Sequence, residues 1–189
     1  MHRRSSTVVT ATALVTLLGS LLAGCSVPGS DTSTAAPPWP RPTDLEHRAD
    51  QAGLQDVWGE RLAEHVHTHL SITDGHSPVV VPGNVGHSAS EHFAAQLHTH
   101  DTSGILHVES PTRETFTLGQ FFDEWGVALG PAHVGGLRGD LTVWVDGKRF
   151  LGNPRSIALT NRREIALAVT TIGEVPHRPA PFDWPPQYR

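Results

Sequence analysis

The stretch Leu97-His98-Thr99-His100-Asp101-Thr102-Ser103-Gly104-Ile105-Leu106-His107-Val108-Glu109 decides how the rest of the chain is read. Asp101 to Gly104 is suited to a turn, since short Asp and Ser side chains bond nearby backbone and Gly accepts unusual dihedrals. The flanking runs then pair as antiparallel strands, and the register is the same whether the loop counts two or four residues. His98 faces His107, with His100 and Glu109 on the same side and Leu97, Leu106 and Val108 on the other. A β-bulge in the turn would break this parity.

Upstream, Val66, Leu70 and Ile72 alternate with His65, His67, His69 and Ser71, the period of two that marks a strand with unlike faces. Asp74-Gly75 turns the chain, and Val79-Val80-Val81 returns as a second strand ended by Pro82-Gly83-Asn84. Further upstream, Thr43 and Glu46 have capping-box spacing, which predicts a short helix from Asp44 to about Ala52, ending near Gly53.

Downstream, Thr117 with Gln120 three residues on is a second capping box, and Phe116 with Phe121 forms a hydrophobic staple. A helix from Leu118 to about Leu129 follows, with Phe121, Phe122, Trp125 and Leu129 on one face as core. Leu141 to Val145, Asp146-Gly147 and a return through Phe150 make a third hairpin. A strand spans Glu164 to Val169, and Pro176 to Arg189 is irregular. The expected fold class is α+β: a mainly antiparallel or mixed sheet of six or seven strands with one main helix packed on it. A cupin-like β-barrel or sandwich is the competing topology.

A chain of 189 residues with 38% hydrophobic content suits one ordinary domain, and a single cysteine excludes an internal disulfide. The net charge of −5 and the scattered basic residues argue against nucleic acid as a partner. The chain holds no phosphate-cradling glycine loop, no CxxC, no Gly-x-Ser-x-Gly elbow and no HExxH helix.

His2, Arg3 and Arg4 followed by the apolar run Val8 to Leu22 read as a secretory signal rather than a spanning helix, because the run is short and ends in small residues. Leu22-Ala23-Gly24-Cys25 resembles the lipobox of bacterial lipoproteins, which implies a diacylglycerol on Cys25. Ser26 to Thr43 is rich in Ser, Thr and Pro and cannot bury enough apolar area to offset chain entropy. The expected organisation is a lipoprotein signal peptide over 1–25, a flexible tether over 26–43 and one His-rich domain over 44–189. That places the protein outside the cell, anchored to the outer face of the cell membrane by lipidated Cys25.

Nine of the 13 histidines lie between 65 and 107, where random scatter would put about three. Imidazole is the commonest metal-binding side chain, and two histidines at i, i+2 project from one face of a strand. His67-Thr68-His69 and His98-Thr99-His100 both have that spacing, and His107 enters from the paired strand. If these strands are neighbours, His67, His69, His98, His100 and His107 converge as candidate ligands. Glu109 is the candidate carboxylate orienting an imidazole, or a strand-end charge. Asp101 reads first as a turn-forming side chain and otherwise as a second such carboxylate. His76 and His87 read as loop residues, His92 as a helix-face or lid residue, and His47, His133 and His177 as surface. His65 is ambiguous.

The strings HTHL (67–70), LHTHDTSGILHVESP (97–111) and TFTLGQFFDEWG (115–126) resemble an uncharacterised family of small exported bacterial and archaeal proteins, over about His65 to Arg155. The resemblance implies metal binding and no established activity.

With Cys25 acylated and Met1 the only methionine, no soft sulfur ligand remains, which favours Cu(II) or Zn(II) as the cofactor over Cu(I) or an iron–sulfur cluster. Three functions are open. The first is a membrane-anchored protein that captures, buffers or delivers copper or zinc, with a metal transporter or metalloenzyme as possible partner. The second is a mononuclear metal hydrolase or oxygenase with Glu109 or Asp101 as acid/base. The third is a metal-free interaction module with a pH-sensitive face.

Overall fold

In the computed structural model, residues 35–171 and 173–188 are described. The segment expected as signal peptide, Cys25 and the first part of the expected tether lie outside them. The elements run α1 (Leu45–Ala52), β1 (Glu64–Asp74), β2 (Ser77–Val79), β3 (His87–Ser88), β4 (Phe93–Ala94), β5 (Leu97–His98), β6 (Ile105–Ser110), α2 (Leu118–Trp125), β7 (Leu129–Gly130), β8 (His133–Val134), β9 (Asp140–Val145), β10 (Lys148–Phe150) and β11 (Arg163–Thr170). Seven strands form one mixed sheet in the order β10-β9-β11-β1-β6-β5, with β2 also pairing β1. No closed barrel is present among the described residues, so the cupin-like alternative is set aside.

Long β1 holds the sheet together. It runs antiparallel to β6 on one side and parallel to β11 on the other. Its alternation sorts the two faces: Leu70 and Ile72 enter the main core with Leu97, Leu106, Val108, Ile165, Leu167 and Val169. The opposite face carries His65, His67, His69 and Ser71.

Both helices lie on the apolar face. The capping box forms at α2: the Thr117 hydroxyl accepts from the Gln120 N–H, and the Gln120 side chain accepts from the Thr117 N–H. Phe121 and Phe122 are fully buried and Trp125 nearly so, in the same core as Leu97, Leu106 and Val108. The helix stops at Trp125 rather than near Leu129, because Gly126 takes the left-handed conformation and turns its N–H back to the Asp123 and Phe122 carbonyls. A bidentate pair from Arg155 to Asp123, at 3.0 and 2.6 Å, ties the turn Pro154–Ser156 to α2. In α1 the N-cap is Asp44 and no side chain caps it, so the box expected from Thr43 and Glu46 does not form. Gly53 ends that helix in the left-handed conformation.

Composition places residues 35–43 in the tether, yet they lie on the domain. Trp39 is buried edge-on against Trp125 at 5.6 Å, and the Trp125 indole N–H donates to the Pro40 carbonyl. One large indole supplies enough apolar area to hold a proline-rich segment down. Among the described residues, no helix is long and apolar enough to cross a membrane.

Because Phe122 is fully enclosed, Phe122→Ala should lower unfolding free energy by about 3–5 kcal/mol, measured by urea denaturation of the full chain. A loss below about 1 kcal/mol would contradict the packing described here.

Candidate metal centre

The turn reading of Asp101–Gly104 is correct in its chemistry. The Asp101 carboxylate accepts the Ser103 N–H at 2.8 Å, and hydrogen bonding from Ser103, from its side chain first and its N–H second, holds the Asp101 pKa below the ordinary value. Gly104 has φ +80°, and a Cβ there would run into the Leu70 carbonyl oxygen. The close approach lets the Leu70 N–H reach the Gly104 carbonyl at 2.8 Å, locking the hairpin tip onto β1. Asp101 is thereby a turn residue, and neither histidine triad includes it.

The parity then carries through. His98 pairs with His107 across β5 and β6, and His107 pairs with His67 across β6 and β1. Three imidazoles thus form one row over three neighbouring strands. His65 and Glu109, also paired, form the next row.

The threonine inside each HxH pair keeps its flanking histidines on this face. Thr99 is fully buried on the opposite side, donating to the Pro82 carbonyl at 2.8 Å and accepting from the Val85 N–H at 3.1 Å. Thr68, equally buried, donates to the Thr160 carbonyl at 2.8 Å. A hydroxyl with partners can sit in the core where an unpaired one would be costly.

Two groups of three imidazoles result, each with ligand atoms within 4.8 Å of one another: His65, His67 and His107, and His98, His100 and His107. His107 belongs to both. Its ring lies 4.6 Å from that of His67, 4.4 Å from that of His100, and is stacked on His98 at 5.2 Å and 12°. Glu109 is set among them, its Oε1 3.1 Å from His65 Nε2 and 3.9 Å from both His98 Nε2 and His107 Nδ1.

Several features suit these rings to a cation. His98 Nδ1 lies 2.8 Å from the Ala95 carbonyl, which can only accept, so Nδ1 carries the proton and Nε2 presents its lone pair to the cluster. Two buried nitrogens, His67 Nε2 and His107 Nδ1, have no hydrogen-bond partner among the described residues. Burial holds the rings neutral. The His67 pKa falls to about 4, His98 to about 3 and His107 to about 2, in each case through desolvation first and neighbouring histidines second. For His98 the bond to Ala95 opposes the shift in part. Neutral imidazole is the form that coordinates a metal.

Of the five histidines singled out from spacing, the structure brings four together. His69 faces the same side but lies farther along β1, where its ring stacks flat on Phe182 at 3.6 Å. Its pKa is also lowered to about 4, chiefly by burial. The segment carrying Phe182 is held by Glu164, whose carboxylate accepts the Phe182 N–H at 3.1 Å and the Trp184 indole N–H at 3.4 Å.

Two further histidines join from outside the expected set. His65 enters one triad, as its place in the alternation allowed. His87, read from sequence as a loop residue, stands 4.6 Å from the His100 ring and 5.5 Å from that of His98. It arrives through β3 and β4, and no local signal near Gly86 or Ser88 marks it.

No family model matches the chain, and neither a curated protein nor a solved structure does. The fold and the site define an α+β protein with histidine triads that could hold a metal ion.

The depressed histidines make apo stability pH-dependent. The unfolded chain takes up protons as pH falls below 6.5, while His67 and His69 resist until about 4. Their contribution is therefore whole above 6.5 and is lost as pH falls from there towards 4. Urea unfolding of the metal-free chain should show a falling midpoint across that window, and a flat profile would contradict the burial of these rings.

Proposed function

We propose that this protein binds a divalent cation, Cu(II) or Zn(II), and serves to capture, buffer or deliver it. The observation carrying the reading is the pair of imidazole triads that share buried His107. A metal–nitrogen bond is about 2 Å, so small rotations of these rings suffice to close on an ion. His65, His67, His98, His100 and His107 would hold it, and Glu109 would balance its charge or orient a ring. All are nitrogen or oxygen donors, the set that suits Cu(II) and Zn(II).

The cluster opens to solvent at His65 and His100. A cavity of about 440 Å³ does adjoin this face of the sheet, bordered by His69, Trp144, Glu164 and Arg178, but no residue of either triad lines it. This supports binding and release ahead of catalysis. The resemblance of the HTHD-x-SG-xx-HVE stretch to exported proteins supports the same reading, as does the lipobox ahead of Cys25. The protein would then act at the outer face of the cell membrane, exchanging its ion with a transporter or a metalloenzyme.

Calorimetric titration of the full chain with Cu(II) and Zn(II) tests the site. His107→Ala should abolish binding, and Glu109→Gln should weaken it by about 10–100-fold. His47→Ala and His177→Ala should leave it unchanged, and His69→Ala should alter it little, because that ring is committed to Phe182. Equal affinity in wild type and a folded His107→Ala variant would overturn the assignment.

The anchor has its own test. Cys25→Ser should release the protein from membranes or leave the precursor uncut, read by fractionation and mass. Processed Cys25→Ser protein still bound to membranes would refute the lipid attachment.

A further inference from the structure

We infer that the histidine cluster is a relay with two overlapping seats for a single cation, rather than one site or two independent ones. The inference rests on the metal-binding reading above and specifies how the ion would move. Seat one is His98, His100 and His107, and seat two is His65, His67 and His107.

The shared residue is the reason for exclusivity. A neutral imidazole has one nitrogen with a free lone pair, the other carrying its proton. His107 therefore completes one seat at a time, and an ion in either leaves the other one ligand short. Its ring lies between the two pairs, 4.4 Å from His100 and 4.6 Å from His67, so an ion can change partners without leaving it. Coordination bonds to His98 and His100 break as bonds to His65 and His67 form, and the ion keeps its oxidation state.

Glu109 stands where such a transfer needs it. Its Oε1 reaches towards His65 of one seat, His98 of the other and the shared His107, at 3.1, 3.9 and 3.9 Å. A carboxylate within reach of both seats neutralises the cation throughout the exchange, where a bare step through a desolvated site would be costly.

Each seat also has its own mouth. In each triad one ring is exposed, His100 in the first and His65 in the second, while His107 is buried in both. Beyond His100 the imidazoles continue outward: His87 is 4.6 Å away, and Trp58 bridges His87 to exposed His92 at 5.8 and 5.5 Å. An ion can thus enter at His100 and leave at His65, or the reverse, which a simple store would not require.

Cu(II) titration of the full chain, followed by calorimetry and electron paramagnetic resonance, tests the relay. Wild type should bind one equivalent and show two superposed Cu(II) signals. The double variants His65→Ala/His67→Ala and His98→Ala/His100→Ala should each still bind one equivalent, more weakly, and each keep only one of the two signals. Because His98 is buried, the exposed single variants His65→Ala and His100→Ala serve if a double variant fails to fold, each removing one signal. Two equivalents in wild type would overturn mutually exclusive seats. A single signal that one of the variants leaves untouched would reduce the cluster to one site and also overturn the relay. No Cu(II) or Zn(II) bound by wild type would instead overturn the metal-binding reading itself.

Discussion

The register joining β1, β6 and β5 sets His67, His107 and His98 side by side, and the rest of the molecule is arranged around keeping it there. A slip of one residue would turn these rings into the core and bring Leu106 and Val108 out to the histidine face. The apolar face prevents that slip. Leu70, Ile72, Leu106, Val108 and Leu97 are committed to Phe121, Phe122 and the rest of one core, so the register that buries them is the one that aligns the imidazoles. Packing on one side of the sheet thereby positions chemistry on the other.

Burying imidazoles together has an electrostatic consequence. Each would repel its neighbours if charged, and removal from water penalises the charged form further, so the row stays neutral well below the ordinary histidine range. The structure supplies few internal hydrogen bonds to make up for lost solvation. Ala95 serves His98, whereas His67 Nε2 and His107 Nδ1 have no partner among the described residues. Polar nitrogens left unpaired in a site are costly to stability, and a cation is the kind of ligand that would satisfy them.

The C-terminal segment gives the histidine face a boundary. Phe182 stacks on His69, Trp184 and Phe182 are fastened to Glu164, and the Tyr188 ring lies 4.3 Å from His67. This aromatic cover lies over His67 and His69, while His65 and His100 stay exposed. A stretch that composition marks as irregular thus decides which of the aligned histidines remain available.

Local patterns determined a good deal: the alternation in β1, the turn at Asp101–Gly104, the His98–His107 pairing, the Thr117–Gln120 cap and the α+β class are all visible in the chain itself. Each depends on neighbours within about a dozen residues, where side-chain period and turn chemistry dominate. Tertiary structure decided that β6 lies between β1 and β5, and that β1 pairs in parallel with β11, about ninety residues away. It also brought His65 and His87 to the cluster, gave His69 to Phe182, and laid Trp39 on the domain although the residues around it are rich in proline. The spacing of two histidines on a strand settles which face they share, but not what covers that face, because covering residues come from distant segments whose docking depends on the folded shape.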